Sequence, residues 1–291
     1  VTAKLSFLEK HDFLLRRLHS ITGVLPVGLF LITHLLTNSS IVWGLLDARQ
    51  RDHAAGAARL AGPDAAAHGG VAAFQHEVNF IHSLPFLYII EIFGLWLPIL
   101  FHSVYGFYII KTGRSNVHRY RYGANWRYSL QRISGWVGFV FIFYHVATLR
   151  WGWTFLVPGG TRWTSEYAAS TLAAAIQGTN WESATATGGG MTVMGLAVAV
   201  LYMLGVSLLV FHFANGLWTW AITWGLTVSR AAQRRWGYAC VGLGAGLMVL
   251  SWAAIAGFVT LDVKRTAPLE RELGRGHAAE LVEPVKKAAA E

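Results

Sequence analysis

Five apolar stretches, each long enough to cross a lipid bilayer as a helix, divide this chain and leave it few alternatives. A span needs about 20 apolar residues, because a helix rises about 1.5 Å per residue through a hydrocarbon core about 30 Å thick. The stretches run roughly from Ile21 to Trp43, Pro85 to Ile110, Ile133 to Trp153, Met191 to Thr227 and Trp236 to Leu261. Each must be helical, since backbone groups in hydrocarbon find no water and a helix pairs them within the segment. The expected fold is all-α: an integral membrane bundle of five transmembrane helices over residues 21–261, with an N-terminal arm at 1–20 and a polar tail at 262–291. The fourth stretch exceeds a bilayer's need, which points to tilt or extension into water.

Charge patterning sets the expected orientation. Charged residues are 13% of the chain, about half the usual share, and the basic ones gather at alternate span ends. Lys4, Lys10, Arg16 and Arg17 precede the first span; Lys111, Arg114, Arg119, Arg121, Arg127 and Arg132 join the second to the third; Arg230, Arg234 and Arg235 join the fourth to the fifth. By the positive-inside rule that side, with the N-terminus, is cytoplasmic, and the protein is multi-pass in the cell's inner (cytoplasmic) membrane. The +9 net charge is thus explained by topology, and nucleic acid is not an expected partner. The opposite connections, about 44–84 and 158–190, are rich in Ala, Gly, Ser and Thr. The first span reads as retained, without a cleavable signal peptide. The tail from Asp262 mixes both signs and reads as mobile, with Glu270 to Val285 the part able to form a short amphipathic helix. With Cys240 as the one cysteine, the chain cannot itself ligate an iron–sulfur cluster, which takes four ligands, mostly thiolates.

Four of the twelve histidines lie inside the spans: His34, His102, His145 and His212. Ionisable residues at membrane depth are costly and mark functional sites, and burial favours the neutral imidazole that binds a metal. Four on four helices point to b-type haem, two haems each held between two imidazoles. Ile21-Thr22-Gly23 precedes His34 much as Ile133-Ser134-Gly135 precedes His145, while Gly106 and Gly216 each follow a histidine by four residues. On a helix that is the same face one turn along, so these glycines would let a flat macrocycle approach. Small residues also serve ordinary helix packing. Counting rises along each span puts His34 and His145 in an outer layer and His102 and His212 in an inner one. Haem propionates need donors near the membrane surfaces; the inner candidates are Arg16, Arg17, His19, Ser20, Gln131 and Arg132, and the outer is Arg150, although snorkelling accounts equally well for basic side chains. Glu91, a carboxylate within a span, suits proton exchange with a quinone, and Glu77, among His76, Asn79 and His82, is a second candidate. Both have the alternative of ordinary hydrogen-bonded or solvated acids. Trp218, Trp220 and Trp224 read as interfacial belt and packing.

The stretches Phe13 to Gly23, Ser83 to Phe86 with Glu91-Ile92-Phe93, Phe101 to Gly106, and Phe211 to Trp218 resemble the cytochrome b membrane-anchor subunit of succinate dehydrogenase in its five-helix, two-haem form. The resemblance covers about Phe7 to Val259. It implies a complex in which a flavoprotein oxidises succinate, an iron–sulfur subunit relays electrons, and this chain passes them through two b haems to a membrane quinone, with menaquinone the expected species, and with no succinate site of its own. It also implies that His34 and His145 ligate the outer haem iron and His102 and His212 the inner. A fumarate reductase subunit, a haem b subunit of a hydrogenase or formate dehydrogenase, and a proton-coupled transporter are the competing readings. The long outer connections and the tail depart from the family pattern.

Overall fold

The computed structural model describes residues 7–44, 69–113 and 123–274, and every regular element among them is helical. In chain order the main helices are α1 (Asp12–Trp43), α2 (Gly69–Ser83), α3 (Leu87–Thr112), α4 (Gly123–Leu149), α5 (Ala168–Gln177), α6 (Trp181–Thr187), α7 (Val193–Thr223), α8 (Arg230–Thr260) and α9 (263–274). Among the described residues, α1, α3, α4, α7 and α8 are long and apolar enough to cross a membrane. Lys4, Arg114, Arg119, Arg121 and the tail beyond residue 274, all used in the orientation argument or the tail reading, lie outside the described residues.

The spanning helices correspond to the five apolar stretches, but their ends differ. α1 starts at Asp12 rather than Ile21, so most of the N-terminal arm is helix, and α4 starts at Gly123 rather than Ile133. Hydropathy registers only the part that suits lipid, whereas the backbone stays helical where Arg16, Arg17, Arg127 and Arg132 are present. α1 is interrupted at Leu25, where Pro26 lacks the N–H that would bond residue 22. At the α7–α8 turn, Gly225 takes φ +71° and the Ser229 hydroxyl accepts from Ala232 N–H, capping α8. α3 contains a π turn at Ile92–Trp96, immediately after Glu91. Large apolar side chains of α3 such as Ile90, Phe93, Leu100 and Val104 are exposed, as a lipid-facing surface requires.

The chain divides into two compact units. The first comprises Val1–His34, Pro85–Phe141 and Leu204–Val249, and the second Leu35–Leu84, Ile142–Met203 and Leu250–Glu291. In the first unit, α4 and α7 are tied together by polar side chains. Asn215 donates to Gln131 Oε1 and accepts from Arg127 Nε, while Gln131 Nε2 donates to the His212 carbonyl. Arg127 also lies 4.0 Å over the Trp218 ring, whose N–H donates to the Gln233 carbonyl.

The second unit contains a feature that the sequence reading took for loop. α5 is ten residues long, too short to span, yet all ten are buried, in a core with Ile41, Phe74, Phe258 and Leu269. Three buried polar side chains hold it. Gln75 accepts from Ala168 N–H and donates to the Ser165 carbonyl. Gln177 donates to the carbonyls of Phe258, Val259 and Leu261, which lie at or beyond the last turn of α8 and lack partners within that helix. Glu270 accepts from the N–H groups of Ala169 (2.6 Å) and Ser170 (3.3 Å), satisfying the first turn of α5. Glu270 lies on α9, whose residues Val263, Thr266, Ala267 and Glu270 are buried at helical spacing and whose start is capped by Asp262. The expected mobile tail therefore begins with a packed helix, which starts before Glu270 and includes the first residues of the Glu270 to Val285 stretch; the rest of that stretch lies outside the described residues.

Burial pushes the Glu270 carboxyl up to about 7 from an ordinary 4.5, outweighing the opposite pull of Ser170 and Ala169. An acid raised in the folded state contributes stability that is fully present below about pH 4.5 and is lost as pH rises through about 7. The wild type should lose on the order of 3 kcal/mol across that window, seen as a falling thermal midpoint and faster amide exchange in α5. Glu270→Gln should flatten the dependence; an unchanged slope in the variant refutes the assignment.

Candidate functional site

His102 and His212 sit on α3 and α7 in the first unit, and the same local device holds both. His102 Nδ1 lies 2.9 Å from the His19 carbonyl of α1. His212 Nδ1 lies 3.1 Å from the Gln131 carbonyl of α4 and 3.2 Å from Ser134 Oγ. A carbonyl only accepts, so Nδ1 of each ring carries the proton and Nε2 keeps its lone pair. In each case the residue four positions after the carbonyl is glycine, Gly23 or Gly135. The carbonyl of a helical residue points along the axis at the N–H four residues on, and a side chain there would crowd any donor arriving from outside. A Cβ on Gly23 would fall 2.4 Å from His102 Cε1, and one on Gly135 3.1 Å from His212 Cε1.

The arrangement is reciprocal. Gly106, one turn after His102, faces His19, whose Cε1 is 3.3 Å from a built Cβ, and Gly216, one turn after His212, faces Gln131 Nε2 at 3.5 Å. The pairs α1–α3 and α4–α7 thus repeat one pattern: a carbonyl and a glycine on one helix, a histidine and a glycine on the next. The His102 and His212 ring centroids are 6.1 Å apart with planes at 84°. Two metal–imidazole bonds of about 2 Å, as at zinc, together with the ring radii span about 6 Å. His19 stacks on His102 at 4.0 Å and 11°.

The N-terminal part of α1 and the C-terminal part of α7 bring polar groups together in the same unit. Arg17 Nε, His19 Nδ1, Trp220 Nε1 and Thr227 Oγ1 are buried without a hydrogen-bond partner. The Arg17 guanidinium lies 4.6 Å over Phe13 and 5.0 Å over Trp224, and the Trp224 N–H donates to Ser20 Oγ. Buried orphan donors are costly, so this cluster has the chemistry of an anion site. Other expected anion donors are already engaged. Arg16 pairs with Asp12 at 2.7 Å, Gln131 ties α4 to α7, and Arg132 donates to the Ile110 carbonyl.

His34 lies in the first unit, stacked on Phe30 with centroids 5.2 Å apart. His145 lies in the second, its Nδ1 3.3 Å from the hydroxyl of Tyr202. Arg150, just past α4, is exposed. Glu91 is half-buried on α3 among exposed Ile89, Ile90, Ile92 and Phe93, and Glu77 is half-buried on α2 with His76 3.9 Å away. Among the described residues no group of three or more His, Cys, Asp or Glu converges as for a bare metal ion.

Over 248 residues, 85% of this chain and 98% of the relative, the sequence is 34% identical to the succinate dehydrogenase cytochrome b558 subunit of Bacillus subtilis (strain 168). The chain belongs to this family. No family model and no solved structure matches it. Family membership accords with five apolar helices and makes the chain a membrane protein of the succinate dehydrogenase cytochrome b type.

Several members of these sites were not singled out beforehand. Trp220 and Trp224 read as a lipid belt because Trp is common there, and only the neighbouring helix shows that Trp224 bonds inside the protein. Tyr202 carries no sequence signal, since its hydroxyl meets a residue of another helix, and Thr227 lies in a turn with nothing in the sequence to mark it.

The glycine seats predict a contrast. Gly23→Ala and Gly135→Ala should each destabilise the detergent-solubilised protein by about 1–3 kcal/mol through overpacking. Gly242→Ala in α8, where a Cβ meets nothing within 4 Å, should leave the thermal midpoint unchanged or slightly higher. Equal effects at all three positions would overturn the seat assignment.

Proposed function

We propose that this chain is the di-haem membrane anchor of a succinate dehydrogenase, with His102 and His212 holding an inner b haem and His34 and His145 an outer one. The observation that carries the proposal is the twin device above: two neutral imidazoles 6.1 Å apart, each with Nδ1 committed to a carbonyl and so with Nε2 left for iron. Metal-bound histidines characteristically donate their other N–H in this way. The residues present fit the group. The orphaned Arg17, His19, Trp220 and Thr227 polar groups would meet propionates, with Ser20 next to His19 in the chain; Arg16, Gln131 and Arg132 are further inner candidates that would first have to leave their present partners, and Arg150 would serve the outer haem. The outer pairing rests on the similar depth of His34 and His145 along their helices.

Two b haems, when bound, supply one-electron carriers between an iron–sulfur subunit and a membrane quinone, here assigned as menaquinone. The chain's own residues hold and orient those groups and exclude water from them. Glu91, and less directly Glu77, are assigned to proton exchange with the quinone. The N-terminus and the basic connections face the cytoplasm, where the flavoprotein and iron–sulfur subunits dock, and the membrane is the cell's inner membrane. The succinate site belongs to the flavoprotein.

The test is a dithionite-reduced spectrum with haem quantitation on the purified complex. Two b haems per chain are expected. His102→Ala and His212→Ala should deplete one spectral component, and His34→Ala and His145→Ala the other. A colourless protein despite ample haem supply would sink the proposal, and a component shared by His34 and His102 would sink the pairing.

A further inference from the structure

We infer that Tyr202 is a positioning residue for His145, accepting a hydrogen bond from the imidazole Nδ1–H, with the Thr148 hydroxyl as its neighbour. The inference rests on the reading of His145 as a haem ligand and goes beyond it to a residue on a different helix. Its basis is geometric. Tyr202 Oη lies 3.3 Å from His145 Nδ1, with the ring centroids 5.8 Å apart and the planes at 67°. Tyr202 is 8% exposed and Thr148 2%, so neither hydroxyl can rely on bulk water.

An imidazole that binds iron through Nε2 carries its proton on Nδ1, and Tyr202 Oη is then the acceptor. Thr148 Oγ1 donates to the Tyr144 carbonyl at 2.8 Å, within its own helix. Its oxygen also lies 3.2 Å from the His145 carbonyl, and Thr148 lines the same small cavity as Tyr202, which makes it the neighbouring hydroxyl for the tyrosine. With its own O–H turned away from the imidazole, Tyr202 presents a lone pair to His145 Nδ1–H. The ring is thereby held in the tautomer that frees Nε2, the outcome that the carbonyls of residues 19 and 131 produce for His102 and His212.

The site is also closed. A small cavity lined by Tyr144, Thr148, Leu172, Ile176, Val198 and Tyr202 lies beside the hydroxyls, and Leu172 and Ile176 come from the buried helix α5. That helix walls the Tyr202 hydroxyl off, which keeps the hydrogen bond in a low-dielectric setting where it is strong. An acceptor on the imidazole N–H makes the ring a better donor to iron and favours the oxidised metal. Removing the acceptor should therefore raise the reduction potential.

Redox titration of the purified haem-loaded complex tests this. Tyr202→Phe keeps the packing and removes the acceptor; it should retain both haems and shift the oxidised-to-reduced ratio of one component by about tenfold, upward in potential by about 59 mV for one electron. The component that moves should be the one depleted in His145→Ala, with the other unmoved. Thr148→Val, which leaves the tyrosine in place but unanchored, should move the same component in the same direction by a smaller amount, and it decides the question if Tyr202→Phe does not fold. The inference is overturned if neither variant moves that component, or if both components move together. If His145→Ala itself retains both haems, the ligand reading fails instead; if it loses one while Tyr202→Phe and Thr148→Val leave the potentials unchanged, only the role of Tyr202 fails.

Discussion

A neutral imidazole surrounded by hydrocarbon has two nitrogens to satisfy, one donor and one acceptor, and no water for either. The structure answers the donor half with backbone. The carbonyls of His19 and Gln131 accept from His102 and His212, although each is a helical carbonyl already aimed at an N–H one turn on. A carbonyl has two lone pairs, so a second donor is acceptable provided it can get close. Glycine at the fourth residue on supplies that access, and the rest of the first unit's packing follows. α1 must approach α3, and α4 must approach α7, closely enough for ring to meet backbone. The unsatisfied half, Nε2, is then the reason for reading a metal between the rings rather than a purely structural pair of histidines.

The second unit solves a different problem. Orphan carbonyls at the end of α8 and orphan N–H groups at the start of α5 are each a liability once buried. Gln177 and Glu270 pair with them, so that two helix ends and the α9 segment lock each other. A carboxylate is a strong acceptor at a helix N-terminus, but burial opposes its charge. The result is a clasp whose strength depends on pH near neutrality, placed outside the segments that suit lipid.

How much of this was legible follows from what a sequence pattern can encode. The five helices were, because each must satisfy a length and an apolarity that few soluble segments reach. The four histidines stood out as candidates for a similar reason, because ionisable groups at that depth are rare. The glycines were legible as special positions, but their partners were not. Spacing within one helix relates Gly23 to His34 and Gly106 to His102, whereas the contacts join Gly23 to His102 and Gly106 to His19 across helices. α5 escaped notice for a different reason: ten residues are too few to span a bilayer, and they sit in a connection whose Ala, Gly, Ser and Thr content does not set them apart from loop. The end of α1 was missed in the other direction, since Asp12, Arg16 and Arg17 interrupt the apolar run without interrupting the helix.

The two kinds of histidine acceptor bear on how such a protein can be tuned. A backbone carbonyl cannot be changed by a single substitution, so the donor bonds of His102 and His212 are fixed by the fold as long as Gly23 and Gly135 remain. A partner of His145 is a side-chain hydroxyl, that of Tyr202, and it can be altered while the helices stay where they are. Bonds made by backbone thus secure one pair of rings, and a bond made by side chains leaves His145 adjustable.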